Sequence, residues 1–325
     1  MAETILITGA FGFAGGRISR YLSENSDYYL ILTSKRRDMQ KPSWLGRGEV
    51  AYFDLTDFDF NIFDKYEKID HVIHLAACSE IDCGRDPRLA LQVNTLAAQD
   101  FIEKAIRKNV RRFIYFSTAH VYRTPLSGTI SEDTVPRPVN PYAYTHRMTE
   151  DLVLSAHDRG LFCGAVFRLS NSFGAPVSTD IGRWNLFFND HCRQIATTGR
   201  MTLKSSGRQR RDFICLTDVC RAVAHFLTLK ADRVGDGLFN VGGGYSPRIV
   251  EVTELIAGRC KKILGFMPEI ILKEQGDSSN SSEETDFYLD YRIDKLLSTG
   301  FALTGLVEKE IDDLLLFCMN HFGKK

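Results

Sequence analysis

No charge of either sign is in excess: Lys+Arg and Asp+Glu both total 41 among 325 residues. That balance excludes a global field that would gather nucleic acid or an acidic membrane, so any basic site must be local. The eight cysteines are scattered, with no Cys-x-x-Cys pair and no Cys/His metal spacing. No metal centre is therefore expected. No secretory leader is evident, so the thiols are expected to be reduced in a cytoplasmic protein. The apolar runs stop short of the roughly 20 residues needed to cross a bilayer. Internal repeats and heptads are lacking too. The composition, 44% hydrophobic and 25% charged, is that of a globular chain with one large domain or two sharing an interface.

What is present is a rhythm. The runs 4–9, 28–33, 50–54, 71–77, 112–118 and 164–170 are almost continuously apolar, which predicts strands buried on both faces. Helical patterns at 13–24, 88–108 and 142–158 separate them. This alternation predicts an α/β fold, a Rossmann-type doubly wound parallel sheet. After about residue 175 the pattern changes: helices at 218–230 and 249–264 mix with Gly-rich turns. We expect a dinucleotide domain over 1–174 and a smaller substrate-binding α/β cap over 175–325, with 208–245 returning to the first domain. The polar stretch 273–285 is expected to be a mobile surface loop.

The turn "ITGAFGFAGG" sets Gly9, Gly12 and Gly15 between the first strand and the first helix. Glycines there allow a tight turn and close approach of a pyrophosphate to a helix N-terminus. A dinucleotide fold usually places an acid at the end of its second strand, for the adenosine ribose. Here Thr33 stands in that place, followed by Ser34, Lys35, Arg36 and Arg37. Loss of the carboxylate and gain of cationic donors suits a 2′-phosphate. NADP(H) is favoured, with NAD(H) the alternative.

In order and spacing these motifs resemble the extended short-chain dehydrogenase/reductases, in the nucleotide-sugar epimerase/dehydratase/reductase group. The likeness runs over nearly the whole chain. "FDLTD" resembles the segment whose aspartate, here Asp54 beside Leu55, contacts adenine. "DHVIHLAA", with Leu75, Ala76 and Ala77, resembles the turn passing under the cofactor, and Asn94 leads the helix behind it. Phe11, Phe13 and Leu169 fall among the implied cofactor contacts. "YFSTAHVY" puts the catalytic Ser/Thr on Thr118, and "PYAYTH" resembles the YxxxK helix, giving Tyr142 and His146. "FRLSNSFG" and "RRDFICLTD" resemble the segments whose Asn171 and Arg211 grip a substrate diphosphate. The implied partner is a nucleotide-diphosphate sugar, and the implied assembly is a homodimer.

Tyr142 and His146 lie four apart on one helix, so they share a face. A hydroxyl, a phenol and a basic group around a nicotinamide form a proton relay for alcohol/ketone interconversion. Thr118 would orient the substrate oxygen, Tyr142 exchange its proton, and His146 bind the nicotinamide ribose. His71 and His74, within a strand pattern, are expected to be structural. Two departures narrow the chemistry. Ala119-His120 stands where the 4,6-dehydratases of the group carry Asp-Glu, which argues against that reaction. Histidine in place of lysine leaves only about one part in 10³ of an ordinary phenol ionised at pH 7, which handicaps alcohol deprotonation. A 4-ketoreductase acting at C4 is therefore expected first and an epimerase second. A cofactor-binding scaffold without turnover is the alternative of another class.

Overall fold

The computed structural model describes residues 2–272 and 287–323; the expected loop 273–285 lies outside them. Among the described residues the central sheet has seven strands: β1 (Thr4–Thr8), β2 (Tyr29–Ser34), β3 (Gly48–Tyr52), β4 (His71–His74), β5 (Arg112–Thr118), β6 (Cys163–Leu169) and β7 (Leu238–Val241). Every neighbouring pair is parallel, in the order β7-β6-β5-β4-β1-β2-β3. The direction of winding reverses between β1 and β4. In such sheets that reversal opens a crevice at the carboxyl ends of the strands.

The apolar runs are continuous because both faces of the sheet are covered. Ile5 and Ile7 pack with Ile18 and Leu22 of α1 (Phe13–Asn25), while Leu6 between them packs on the opposite face with Phe101 and Ile102. The two cores follow from strand alternation. β7 returns to the sheet from late in the chain, and Phe239 within it meets Phe226 at 4.6 Å between ring centroids.

One expected helix is not continuous. Residues 88–108 divide into α3 (Pro87–Leu91), a π-helical stretch Gln92–Ala97 and α4 (Ala98–Arg107), preceded by the short α2 (Glu80–Arg85). The cause is Asn94. Its carbonyl accepts a hydrogen bond from Thr149 Oγ1 at 2.5 Å, and its side-chain Oδ1 accepts one from Cys78 N–H at 2.7 Å. Holding both ends of one residue is served by the locally widened turn.

Helix α5 (Pro141–Asp158) starts on Asn140, whose Oδ1 caps Ala143 N–H at 2.8 Å, followed by a proline at the first helical position. Such a start fixes the phase of the helix, and with it the direction of Tyr142 and His146. Beyond the sheet, α6 (Phe187–Thr198), α7 (Leu216–Thr228), α8 (Ile249–Leu264) and the helix Val307–Phe322 complete the fold. Of these, α6, α8 and Val307–Phe322 enclose a third apolar cluster with Phe173 and Cys215. Short parallel pairs join 171–173 to 213–215, 200–203 to 269–272 and 128–130 to 289–291. None of these pairs was expected from the sequence.

Candidate active site

The crevice is lined from strand ends. Gly9, after β1, has φ +66°, and a Cβ there would meet the Leu75–Ala76 backbone at 3.0 Å. A Cβ on Gly15 would stand 2.1 Å from Gly9 O. Gly12 is the N-cap of α1; no side chain caps that helix and no acid lies in its first turn. Backbone N–H groups at this end thus face the crevice uncapped, beside a floor that only glycine permits. An uncapped helix start of this kind favours an anion. Phe11 is half-buried at its rim, whereas Phe13 is buried against Ile181 and Leu216.

The basic turn after β2 divides its labour. Thr33 and Ser34 are buried, and Ser34 Oγ accepts the Arg36 N–H at 3.0 Å. Arg36 is taken by two carboxylates, Asp38 and Asp180. It is therefore a poorer phosphate donor than the sequence suggests. The Arg37 guanidinium lies 3.7 Å from the Tyr52 ring centre, and Lys35 is exposed. Asp54 is half-buried, its Oδ1 accepting both Thr56 N–H and Thr56 Oγ1–H, with Leu55 buried next to it.

Leu75 and Ala76 are held by their N–H groups on Thr8 Oγ1, at 3.1 and 3.2 Å, and Ala77 after them is exposed. His74 Nδ1 meets that same hydroxyl at 2.8 Å, and its ring stacks on Phe101. Burial lowers its pKa to about 3. His71 bonds Glu3, at the amino end of β4. Neither histidine enters the crevice. Asn94, expected among the cofactor contacts, is buried; its amide serves Cys78, Thr145 and Cys83. It supports the turn beneath the crevice instead of lining it. Leu169, half-buried, belongs to the core on the α1 side of the sheet.

Thr118, Tyr142 and His146 do come together. The Thr118 side chain acts on the Tyr142 phenol, and the Tyr142 and His146 rings sit edge to face, 4.5 Å apart. His146 is 3% exposed. Its Nδ1 lies 2.7 Å from Tyr115 Oη, while its Nε2 is buried without a partner. An orphaned ring nitrogen beside the phenol is what a ribose hydroxyl would satisfy, since that group both donates and accepts. Burial first, then the fields of His74, Arg183 and His120, lower the His146 pKa to about 3. The ring is neutral at physiological pH. Burial raises the Tyr142 phenol above its ordinary value; Arg183 and Thr118 oppose that rise, and Glu80 adds to it.

On the other side of the crevice, β-paired segments bring Asn171 next to the Arg211-Asp212 turn. Asn171 Nδ2 donates to the Asp212 carbonyl at 2.9 Å, which leaves its second N–H for a ligand. Arg211 is exposed, and its field reaches His120. His120 Nδ1 contacts Thr124 Oγ1 at 3.0 Å, and Ala119 is buried. The turn after Thr118 carries no carboxylate. The charges of Glu80, at the start of α2, and of Arg183, in the segment before α6, act on the Tyr142 phenol. Sequence reasoning missed both, because neither lies near a motif. Among the described residues no cluster of three His, Cys, Asp or Glu is assembled for a metal, and no helix is long and apolar enough to cross a membrane.

Residues 5–242 match the NAD dependent epimerase/dehydratase family. The chain belongs to that family. It is 27% identical over 305 residues to dTDP-D-glucose 4,6-dehydratase of Mus musculus, covering 90% of this chain and 79% of that protein. In structure it resembles the UDP-glucuronic acid 4-epimerase of Bacillus cereus in complex with NAD, with a TM-score of 0.78 and 21% identity over 99% of this chain and 98% of that one. It also resembles RMD from Pseudomonas aeruginosa complexed with NADPH, with a TM-score of 0.76 and 22% identity over 98% and 100% of the two chains. The protein is thus an NAD-dependent enzyme of the epimerase/dehydratase family. The mouse relative is a 4,6-dehydratase by name, yet the turn Ala119-His120 lacks that reaction's paired carboxylates.

Proposed function

We propose that this family member is an NADP(H)-dependent nucleotide-sugar 4-ketoreductase. The observation that carries the reading is His146: neutral, buried and unable to hold Tyr142 as a phenolate. An alcohol oxidation needs the phenolate as base. A ketone reduction needs the protonated phenol as acid, the form that burial favours here. The diphosphate handle rests on Asn171, whose Nδ2 donates to the Asp212 carbonyl, and on Arg211, exposed beside it.

The family's dinucleotide fits the residues present. Gly9, Gly12 and Gly15 would admit its diphosphate, Asp54 its adenine, and His146 Nε2 and Tyr142 its nicotinamide ribose. A reduced nicotinamide bound there supplies the hydride. The chain's own groups do the rest. Asn171 and Arg211 hold the substrate diphosphate, Thr118 orients the ketone oxygen, and Tyr142 gives that oxygen its proton. Tyr142 is left as a phenolate and recovers its proton from water.

Single-turnover assays test the direction. Reduction of a nucleotide 4-ketosugar is expected to keep its rate between about pH 6 and 9, while oxidation of the matching alcohol climbs steeply with pH over that range. Oxidation as fast as reduction near pH 7 would favour the second reading, an epimerase, which the likeness to a 4-epimerase supports. A free ketosugar turned over as well as its nucleotide form would remove the diphosphate handle.

The cofactor preference has its own test. NADPH is expected to bind more tightly than NADH by about 1–3 kcal/mol, the scale of charge-assisted phosphate contacts. Lys35→Ala and Arg37→Ala should each remove part of that margin, and Arg36→Ala least, since Asp38 and Asp180 already engage it. Equal affinities of the wild-type protein in fluorescence titrations would show that the basic turn reads no phosphate.

A further inference from the structure

A dinucleotide fold usually ends its second strand in a carboxylate that binds the adenosine ribose hydroxyls. β2 ends instead in Thr33 and Ser34, both buried. A carboxylate nevertheless reaches this end of the crevice, from 144 residues away: Asp180 Oδ2 accepts a hydrogen bond from Arg36 Nη1.

The segment that carries Asp180 is fixed against α1. Arg17 Nη1 donates to Ala175 O at 2.8 Å. Val177 packs so closely that a Cβ on Gly16 would stand 2.5 Å from its Cγ2. Ile181 is buried with Phe13 and Leu216. Between these anchors Asp180 N–H donates to Ser178 Oγ at 3.1 Å, and Trp184 Nε1 donates to Thr179 O at 3.0 Å. Residues 175–181 therefore run from the first turns of α1 to the turn after β2, and present a carboxylate there. Those two elements bound the diphosphate and the adenosine ribose of a dinucleotide in a fold of this kind.

The ion pair itself is exposed, Arg36 at 51% and Asp180 at 72% of its side chain. An exposed pair holds weakly, so a better partner can break it. A 2′-phosphate is such a partner for a guanidinium, because it offers charge-assisted, bidentate acceptors. To take Arg36 the phosphate must displace Asp180, and the released carboxylate then stands beside a second anion. Asp38, on Arg36 Nε at 3.4 Å, adds to the same opposition. A cofactor with a free 2′-hydroxyl meets neither cost, and its hydroxyl would have a carboxylate to donate to.

We propose that Asp180 is a specificity-determining residue for the cofactor: it brings to the adenosine end the carboxylate that β2 lacks, and it restrains the preference for a 2′-phosphate by holding Arg36. The proposal rests on the reading of residues 35–37 as the turn that meets the 2′ position. Lys35 and Arg37 then favour the phosphate, and Asp180 sets how far Arg36 can join them.

Fluorescence titration of the substrate-free protein with NADPH and with NADH tests this, whatever the true substrate is. Asp180→Asn keeps the shape of the side chain and removes its charge, at an exposed position where the fold should tolerate it. NADPH affinity is expected to rise about five- to tenfold, the scale of one released charge-assisted contact, while NADH affinity does not rise. In an Arg36→Ala background the same change should give less than about half of that gain, as for two residues that act through one contact. If Asp180→Asn leaves the ratio of the two affinities unchanged, or moves both together, Asp180 sets no preference and the proposal is overturned. The full NADPH gain without Arg36 would overturn it as well, because the carboxylate would not be acting through that guanidinium. Equal affinities in the wild type beside a gain for NADPH in Asp180→Asn would remove the NADP(H) preference proposed above and leave the role of Asp180 standing.

Discussion

Replacing Tyr142 with phenylalanine is expected to lower the rate of ketone reduction about 10²- to 10⁴-fold, the usual worth of a positioned general acid. Dinucleotide affinity should change little by comparison, because the glycine cradle and the basic turn lie elsewhere in the crevice. The only group lost is the phenol hydroxyl, on which Thr118 acts; the ring that His146 meets edge to face remains. No substitute is at hand: the His146 Nδ1 is committed to Tyr115 and its pKa lies at about 3, so it carries no spare proton near neutrality. In the wild type the acid form of Tyr142 should prevail through the neutral range, because burial raises the phenol pKa. The reduction rate should fall only as pH climbs toward that raised value. Single-turnover reduction beside a fluorescence titration of cofactor separates the two effects. A phenylalanine variant that retained a tenth or more of the wild-type rate would mean that the proton comes from another source, with His120 the next to examine.

Much of this site could be read from residue order. The central strands announce themselves because a sheet covered on both faces leaves no polar face to interrupt the run. The glycine turn is legible because Gly9 and Gly15 touch backbone where any side chain would collide. Thr118 and Tyr142 are legible because one ends a strand and the other opens a capped helix. What escaped has physical reasons too. The π-helical stretch at Asn94 arises from contacts with Thr149 and Cys78, which leave no mark on the apolar periodicity of 88–108. The pairs 171–173 with 213–215 and 128–130 with 289–291 are three-residue strands, too short to show alternation. The basic turn reads as one phosphate site, yet Asp180, 144 residues away, removes Arg36 from it. Arg183 belongs to no motif.

Glu150→Ala is expected to be the most destabilising single change in the crevice wall, at about 3–5 kcal/mol. Glu150 lies on α5 close to Arg147 and Asp151. In the fold it is fully buried. It accepts from Ser117 Oγ at 2.5 Å, from Arg168 Nε at 3.0 Å and Nη2 at 2.7 Å, and from Arg147 Nη1 at 3.1 Å. Arg168 is equally buried, 4.6 Å above the Tyr122 ring, with its Nη1 already unpartnered. Removing the carboxylate would strand a guanidinium where water does not reach, and that exposed debt outweighs the attraction lost. A cost of this size is a large part of the roughly 5–15 kcal/mol that typically separates folded from unfolded chains. The double variant Glu150→Leu with Arg168→Met should recover most of the loss, because it removes both charges together. Urea unfolding of the wild type and the two variants decides the matter: if Glu150→Ala lies within about 1 kcal/mol of wild type, the pair does not anchor the wall. Ser117 adjoins Thr118, so the double variant also separates fold from chemistry. It should regain stability yet leave Thr118 less well directed at Tyr142, giving a lower kcat with substrate binding retained.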